Sequence, residues 1–483
     1  MALWIQLLVI VLCLAAAGIL LRFYLSMFQQ NSYRPERFLR WMKDNPVPHP
    51  FRKEKLKFRM TLRMVRLTVL TSLLLLGASA CLRPWGALAA ALLTPWIMLL
   101  ANLLLTPVEK AISRWFYNDA AKRLRSMPEL IIIGVTGSYG KTSTKNYLYR
   151  LLSEKYNVLM TPGNFNTTLG VVRTIREQLQ PYHQVFIVEM GAKQKGDIAE
   201  ICALVHPQIG VVTAVGDMHL ETFGSRDNVR RTKFELLEAL PQDGLAVINE
   251  ESEGIMGCGD VPACCEVLRY GIDAPQADVR AQNISYSRSG MEFDLCGSAL
   301  IGQEPLHLST RLLGDCNVLN LAAAVIVARR LGVSVQKCAL AVGKLQSVEH
   351  RLSISRRGSL TVLDDAYNSN PEGAAMALSV LGAMELPAGA RRIVVTPGFV
   401  ELGEKQQEEC RKLGWRAAAH CDLLVIVNRY NREAILEGAR EGGMDENRII
   451  CADTLAQAVA LMQPFATPGS VVLYENDLPD TFR

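Results

Sequence analysis

The sequence predicts an α/β protein carried on N-terminal transmembrane helices. Three observations predict it. The long apolar runs of this 483-residue chain lie almost entirely before residue 106. The apolar run Leu130–Ile133 leads straight into the glycine-rich stretch GVTGSYGKTST, Gly134–Thr144. From Glu129 onward, short β-rich runs alternate with amphipathic helical stretches, and the alternation restarts near Glu349.

Ala2–Leu21 carries no charge, and at ~1.5 Å per residue it is long enough to cross a bilayer. It predicts a first helix over about residues 2–24. A cleaved signal peptide fits less well, because the segment lacks a basic start and its apolar core is too long. Leu67–Leu82 and Ala87–Leu105 flank Arg83-Pro84-Trp85-Gly86, which predicts a hairpin of helices over 67–82 and 87–105. The first arm is short for a full span, so a tilted or re-entrant hairpin is the alternative.

The intervening loop, 26–66, is basic. Between residues 31 and 66 stand eleven Lys or Arg against three acids, so the loop and everything after Leu105 are expected on the cytoplasmic side of a cell membrane. Anionic membrane lipids are its expected partners. The net charge of +5 comes largely from this loop, which leaves no nucleic-acid footprint elsewhere. The twelve cysteines form no CxxC pair; neither a zinc ribbon nor a disulfide framework is indicated.

Beyond the anchor, LIIIGV, YNVLM, QVFIVEM, QIGVVTAV and GLAVIN read as strands. The first four are each followed by a helical stretch: Lys145–Lys155, Leu169–Gln178, Asp197–Leu204 and Asn228–Leu240. That alternation predicts a mostly parallel sheet with helices on both faces. Val267–Leu308 turns to polar alternation and reads as a small antiparallel excursion. SLTVLDDAYN, RRIVVTPG, CDLLVIVN, NRIICA and SVVLYEN then predict a second α/β domain. The expected division is an anchor over 1–128, a nucleotide-binding domain over 129–348 and a C-terminal domain over 349–483, with a cleft that closes over substrates.

The glycine-rich stretch is a phosphate cradle. Gly137 and Gly140 free backbone N–H groups to face a triphosphate, the helix starting near Lys141 adds its positive dipole end, and Thr142 offers a hydroxyl to Mg²⁺. Ser138 and Ser143 belong to the same cofactor-binding loop. The spacing departs from the usual Walker pattern, since Gly134 stands one residue too early and Val135 holds its place. Glu189 ends an apolar strand, where α/β sites collect; a capping or salt-bridging acid is the plainer reading. By pattern alone, His219 is an ordinary loop histidine, Lys233 a solvated helix lysine, and the asparagines turn residues.

These motifs together resemble one family, the Mur ligases, and among them the MurF branch that adds D-Ala-D-Ala in peptidoglycan synthesis. The resemblance runs from about Glu129 to the end. It is carried by GVTGSYGKTST, MTPGNFNTTLG, FIVEMGA, VGDMHLETFGS, TKFELL, GDCNVLNLAAA, EHRLS, LDDAYNSNP and VELGE, in the family's order. It implies a P-loop central domain, a Rossmann-like C-terminal α/β domain, and an ATP- and Mg²⁺-dependent amide-bond ligase. In such a ligase a carboxylate attacks the γ-phosphorus of ATP, and an amine then displaces phosphate from the acyl phosphate.

The resemblance also implies roles. Lys141 would hold the β- and γ-phosphates, Thr142 and Glu189 a first Mg²⁺ and His219 a second, with Lys233 as a carbamylated, metal-facing lysine. Asn317 and Asn320 would contact adenine, Asp365 the ribose, and Arg351 the phosphates. Asn164, Asn166, Thr167, Tyr367, Asn368 and Asn370 would line the substrate side. The implied partners are a muramyl-peptide-type or lipid-linked acceptor, an amino acid or dipeptide amine, and other envelope-synthesis proteins.

Three departures from the family stand out. A membrane anchor occupies the place of the UDP-sugar-binding domain, Cys316 replaces a common His, and VVLYENDLPDTFR replaces the usual terminal Lys-Gly-Ser element. The acceptor and the added amine are therefore open. The alternatives are the same chemistry on a lipid-linked or polymeric acceptor, or an inactive membrane scaffold. The scaffold is disfavoured because Lys141, Thr142, Glu189, His219 and Lys233 are all present.

Overall fold

The structure is a computed structural model that describes residues 3–31, 33–51, 58–163, 165–216, 223–252, 254–256, 261–272, 274–287, 290–297, 300–347, 352–366 and 370–477. It divides into two compact units, one up to Phe116 and the other Tyr117–Asp477.

The first unit is helical: α1 (Leu3–Gln30), α2 (Pro35–Asp44), α3 (Leu62–Leu92) and most of α4 (Thr94–Arg125). Leu8–Gln30, Leu62–Ala80 and Thr94–Arg125 are each long and apolar enough to cross a membrane. The expected turn at Arg83–Gly86 is absent; α3 runs through it and breaks at Leu93. The break falls there because Pro95 sits in the first turn of α4, where a missing N–H costs nothing, and Thr94 donates back to the Ala90 and Ala91 carbonyls. Amphipathic α2 turns Phe38 inward, edge-on to Phe28 and stacked on Trp41. Arg66 on α3 grips Glu109 on α4 through two hydrogen bonds of 2.6 and 2.8 Å.

The second unit carries two sheets. The larger has nine strands in the order β2-β3-β1-β4-β5-β6-β7-β8-β9: β1 (Ile131–Thr136), β2 (Val158–Met160), β3 (Val185–Glu189), β4 (Ile209–Val212), β5 (Leu245–Asn249), β6 (Glu266–Gly271), β7 (Val279–Ser287), β8 (Gly290–Gly297) and β9 (Leu306–Thr310). β1, inside the sheet, pairs in parallel with β3 and β4, and beyond half-buried Ile131 its residues are buried, as a strand covered on both faces requires. The segment read as an antiparallel excursion differs from expectation. Its first strand, β6, is parallel to β5, and only the β7–β8 and β8–β9 pairs are antiparallel, so the excursion extends the main sheet.

Connecting helices α5 (Lys141–Leu152), α6 (Thr168–Gln178), α7 (Asp197–Val205) and α8 (Arg226–Glu238) follow β1 to β4 in turn. The Ala-rich α9 (Asp315–Arg330) is buried along most of its length and, with α10 (Val335–Gly343) and α5, closes the largest apolar core. Gly134 is explained here: a Cβ on it would lie 2.6 Å from Leu236 Cδ1, so this glycine serves close packing of α8 on the sheet.

The smaller sheet has the order β10-β11-β15-β12-β13-β14, from β10 (Ser353–Arg357), β11 (Leu360–Asp365), β12 (Arg392–Thr396), β13 (Leu423–Val427), β14 (Ile449–Ala452) and β15 (Val471–Glu475). It is parallel except at the β10 edge. Helices α11 (Pro371–Ala383), α12 (Gln406–His420) and α13 (Arg432–Glu441) contribute to one apolar core against it, and α14 (Leu455–Met462) to another.

Candidate active site

The site is built at the C-terminal ends of β1, β3 and β4. Gly137 has φ +152°, and a Cβ there would lie 2.1 Å from Thr213 Oγ1. Gly140 caps α5 at φ +81°. The loop is braced from β4: Ser138 N donates to the Ala214 carbonyl (2.7 Å), and Ser138 Oγ accepts from Gly216 N (3.0 Å). Lys141 Nζ folds over the loop, donating to the Gly137 (2.6 Å) and Ser138 (3.1 Å) carbonyls. A backbone ring with no room for side chains and a lysine curled over it fits a phosphate chain.

Glu189 is buried at the end of β3. Thr142 Oγ1 donates to its Oε2 at 3.1 Å and Asn166 Nδ2 to its Oε1 at 3.1 Å. Lys145 Nζ stands 2.9 Å from Oε2. Burial by itself would raise this carboxyl, but Lys145, Lys141 and the Asn166 amide outweigh it and hold the group below the usual carboxylate range. A carboxylate and a hydroxyl converging beside a phosphate cradle fit Mg²⁺, which keeps waters and phosphate oxygens and takes only one or two carboxylates from a protein.

Lys233, expected on general grounds to be a solvated lysine, is 3% exposed. Burial, with Lys141 adding to it, lowers its amine to about 7, against the opposing pull of Asp197 and Glu235. Glu235 is committed elsewhere: it accepts from Gly196 N (2.7 Å) and Ala199 N (3.0 Å) at the start of α7. The face of α8 that carries both residues therefore lies against the sheet and α7 rather than water.

A cleft between the two sheets brings Tyr139, Gly140 and Ser143 together with Asn317, Asn320, Asp365 and Asn370. Asn317 is held inside it, accepting from Tyr147 Oη (2.7 Å) and donating to the Leu313 carbonyl (2.9 Å). Asp365 Oδ1 accepts from Leu352 N (3.0 Å). Thr167 and Asn370 take the plain role that turn chemistry predicts, as N-caps of α6 and α11. Asn166 does more, by reaching Glu189. Asn164, His219, Arg351, Tyr367 and Asn368 lie outside the described residues.

Sequence reasoning missed Lys145, Thr213, Tyr147 and Thr144, whose hydroxyl donates to Asn320 Oδ1 at 3.0 Å. A second lysine four residues after Lys141 on one helix face was the available signal for the first of them. The other three are marked only by the strands and helices that bring them together.

Fold and site define a P-loop, nucleotide-binding α/β enzyme. Residues 135–328 match the Mur ligase middle domain and residues 350–474 the Mur ligase glutamate ligase domain. A UDP-N-acetylmuramoyl-tripeptide–D-alanyl-D-alanine ligase of Mycobacterium bovis is 35% identical over 368 residues, covering 71% of this chain and 70% of the relative. A crystal structure of MurF from Acinetobacter baumannii superposes with a TM-score of 0.67 at 27% identity, covering 76% of this chain and 78% of that one. The MurF ligase of Thermotoga maritima, in complex with ADP, gives 0.66 at 25% identity, covering 76% and 80%. The chain belongs to the Mur ligase family. It is an ATP-dependent, ADP-forming ligase that uses Mg²⁺.

Proposed function

We propose that this protein is a membrane-anchored, MurF-like ligase of peptidoglycan precursor synthesis, working at the cytoplasmic face of the cell membrane. One observation carries the reading: the buried Glu189 carboxylate faces Thr142 beside the phosphate cradle, with Lys141 above it and buried Lys233 nearby. That grouping suits carboxylate activation, which asks for charge neutralisation and in-line positioning more than covalent help.

The acceptor's carboxylate oxygen attacks the γ-phosphorus of ATP and ADP leaves. The amine of the incoming amino acid or dipeptide then attacks the acyl carbon, phosphate departs, and the amine gives up a proton as the amide forms. Lys141 would swing from the Gly137 and Ser138 carbonyls onto the β- and γ-phosphates. Thr142 and Glu189 would hold Mg²⁺, which neutralises phosphate charge, and His219 would help with a second ion. Lys233 supplies the neutral amine that carbamylation by CO₂ requires, because burial lowers it toward physiological pH.

Asn320 and Asn317 would frame adenine, Asp365 the ribose, and Arg351 would reach the phosphates from the C-terminal domain. Asn164, Asn166 and Thr167, with Tyr367, Asn368 and Asn370, would face the acceptor and amine. The anchor is supported by three span-length helices and the basic loop between the first two.

The relatives are named for a UDP-linked acceptor. The same three helices favour a second reading, a lipid-linked muramyl peptide met at the membrane surface, where tethering raises local concentration. The test is ADP and phosphate release by the detergent-solubilised protein, offered UDP-MurNAc-tripeptide or lipid-linked muramyl peptide with D-Ala-D-Ala or single amino acids. Turnover with the UDP-linked acceptor and D-Ala-D-Ala supports MurF activity; turnover only with the lipid-linked one moves the reading to the second acceptor. No turnover with any pair returns the protein to a scaffold.

A further inference from the structure

Lys145 has no part in the roles above, yet it is one of the largest fully buried side chains in the protein, at 1% exposure. It sits one turn beyond Lys141 on α5. Lysine is seldom buried without a partner, and its 2.9 Å pairing with Glu189 supplies one. The second contact is the informative one: Lys145 Nζ also donates to the Gly163 carbonyl at 2.7 Å.

Gly163 belongs to the turn between β2 and α6. Other contacts from that turn converge on the end of β3. Thr161 Oγ1 accepts from Glu189 N (3.1 Å), Asn166 Nδ2 donates to Glu189 Oε1 (3.1 Å), and the Asn166 carbonyl accepts from Gly191 N (2.7 Å). A Cβ on Gly191 would lie 2.8 Å from the Asn166 side chain, so the turn and strand end are in close contact. Lys145 joins this assembly to the helix that opens with Lys141 and Thr142. Thr142 and the Lys145 ion pair reach the turn only through Glu189; the Gly163 contact links turn and helix directly.

We propose that Lys145 is a positioning residue that ties the acceptor-side turn to the P-loop helix, so that nucleotide bound at α5 governs where the acceptor is held. This rests on the proposed assignment of Asn166 and Thr167 to the acceptor side. Two variants separate the parts. Lys145→Met removes charge and reach; Lys145→Arg keeps the charge, but a planar fork cannot place one donor point on both partners.

The experiment is hydrogen exchange on the full-length protein in detergent, with and without MgADP, following peptides that span 137–144 and 160–168. In the wild type MgADP slows exchange in both. In K145R the slowing at 137–144 persists and that at 160–168 is lost, and K145M behaves the same way. In turnover assays K145R raises KM for the acceptor at least about tenfold and leaves KM for ATP within about twofold. Slowing at 160–168 that survives in K145R, or that is absent from the wild type, overturns the proposal. So does equal loss at both peptides, which would make Lys145 a mere support of the P-loop. The exchange measurement needs no acceptor. A wild type that turns over no muramyl acceptor therefore counts against the proposed function, and the exchange result is read independently of it.

Discussion

The Thr144 hydroxyl donates to Asn320 Oδ1 across 3.0 Å, joining the P-loop helix α5 to the buried helix α9. Both residues are buried, and the oxygen of Asn320 also lies where a Cβ on Gly140 would fall, at 2.5 Å. Asn320 thus lies close against Gly140 of the glycine-rich loop. Asn320→Ala should cost about 1–3 kcal/mol, because the Thr144 hydroxyl loses its buried partner. Denaturant unfolding would read this, together with a weaker affinity for a fluorescent ATP analogue. Stability and affinity both at wild-type level would refute the link.

Gly137→Ala should abolish nucleotide binding. Its φ of +152° and the 2.1 Å approach to Thr213 Oγ1 leave no place for a methyl group, so the loop must shift. Gly163→Ala provides the control for space, since nothing lies within 4 Å of its Cβ, although its φ of +50° still carries strain. Isothermal titration with MgADP compares them, and a G137A protein that binds normally would count against the cradle.

Lys141→Ala should lower phosphate release at least about 100-fold, the scale of a lost oxyanion contact. Its Nζ contacts are to two carbonyls of its own loop, so membrane insertion and thermal midpoint should change little. Undiminished turnover would remove Lys141 from the phosphates.

Lys233 makes stability depend on pH in a defined direction. Its folded value, about 7, lies below the ordinary 10.5. Between those values the unfolded chain binds the extra proton, so this group's contribution rises with pH across the window and is least favourable below about pH 7. Lys233→Met should flatten that rise, as urea midpoints at about pH 7 and pH 9 would show. Lys233→Ala should also lose activity that short carboxylates partly restore; a variant as active as wild type would end the carbamate assignment.

The helical unit predicts that the protein stays in the membrane pellet after an alkaline carbonate wash. Peripheral proteins leave under that treatment, whereas apolar helices of 23 and 32 residues should not. Recovery of the full-length chain in the supernatant would refute the anchor.

Much of this was legible in sequence because it is local. Strand-helix alternation, the Gly-Lys-Thr turn and uncharged stretches of bilayer length are set by near neighbours along the chain. Local pattern misled at Arg83–Gly86, where a turn was expected. Two Pro-containing stretches competed, and the break fell at Leu93, before Thr94-Pro95, where proline costs a helix nothing.

By itself, then, the sequence determined the α/β class, the phosphate loop, the apolar helices and the family. Only tertiary structure decided which charges are buried. Lys145 and Lys233 stand on helices whose patterns show neither to be buried, and what buries them is distant chain: β3 and the 161–163 turn for the first, the sheet and α7 for the second. A side chain's electrostatic character depends on what surrounds it in space, and that is set when the elements pack.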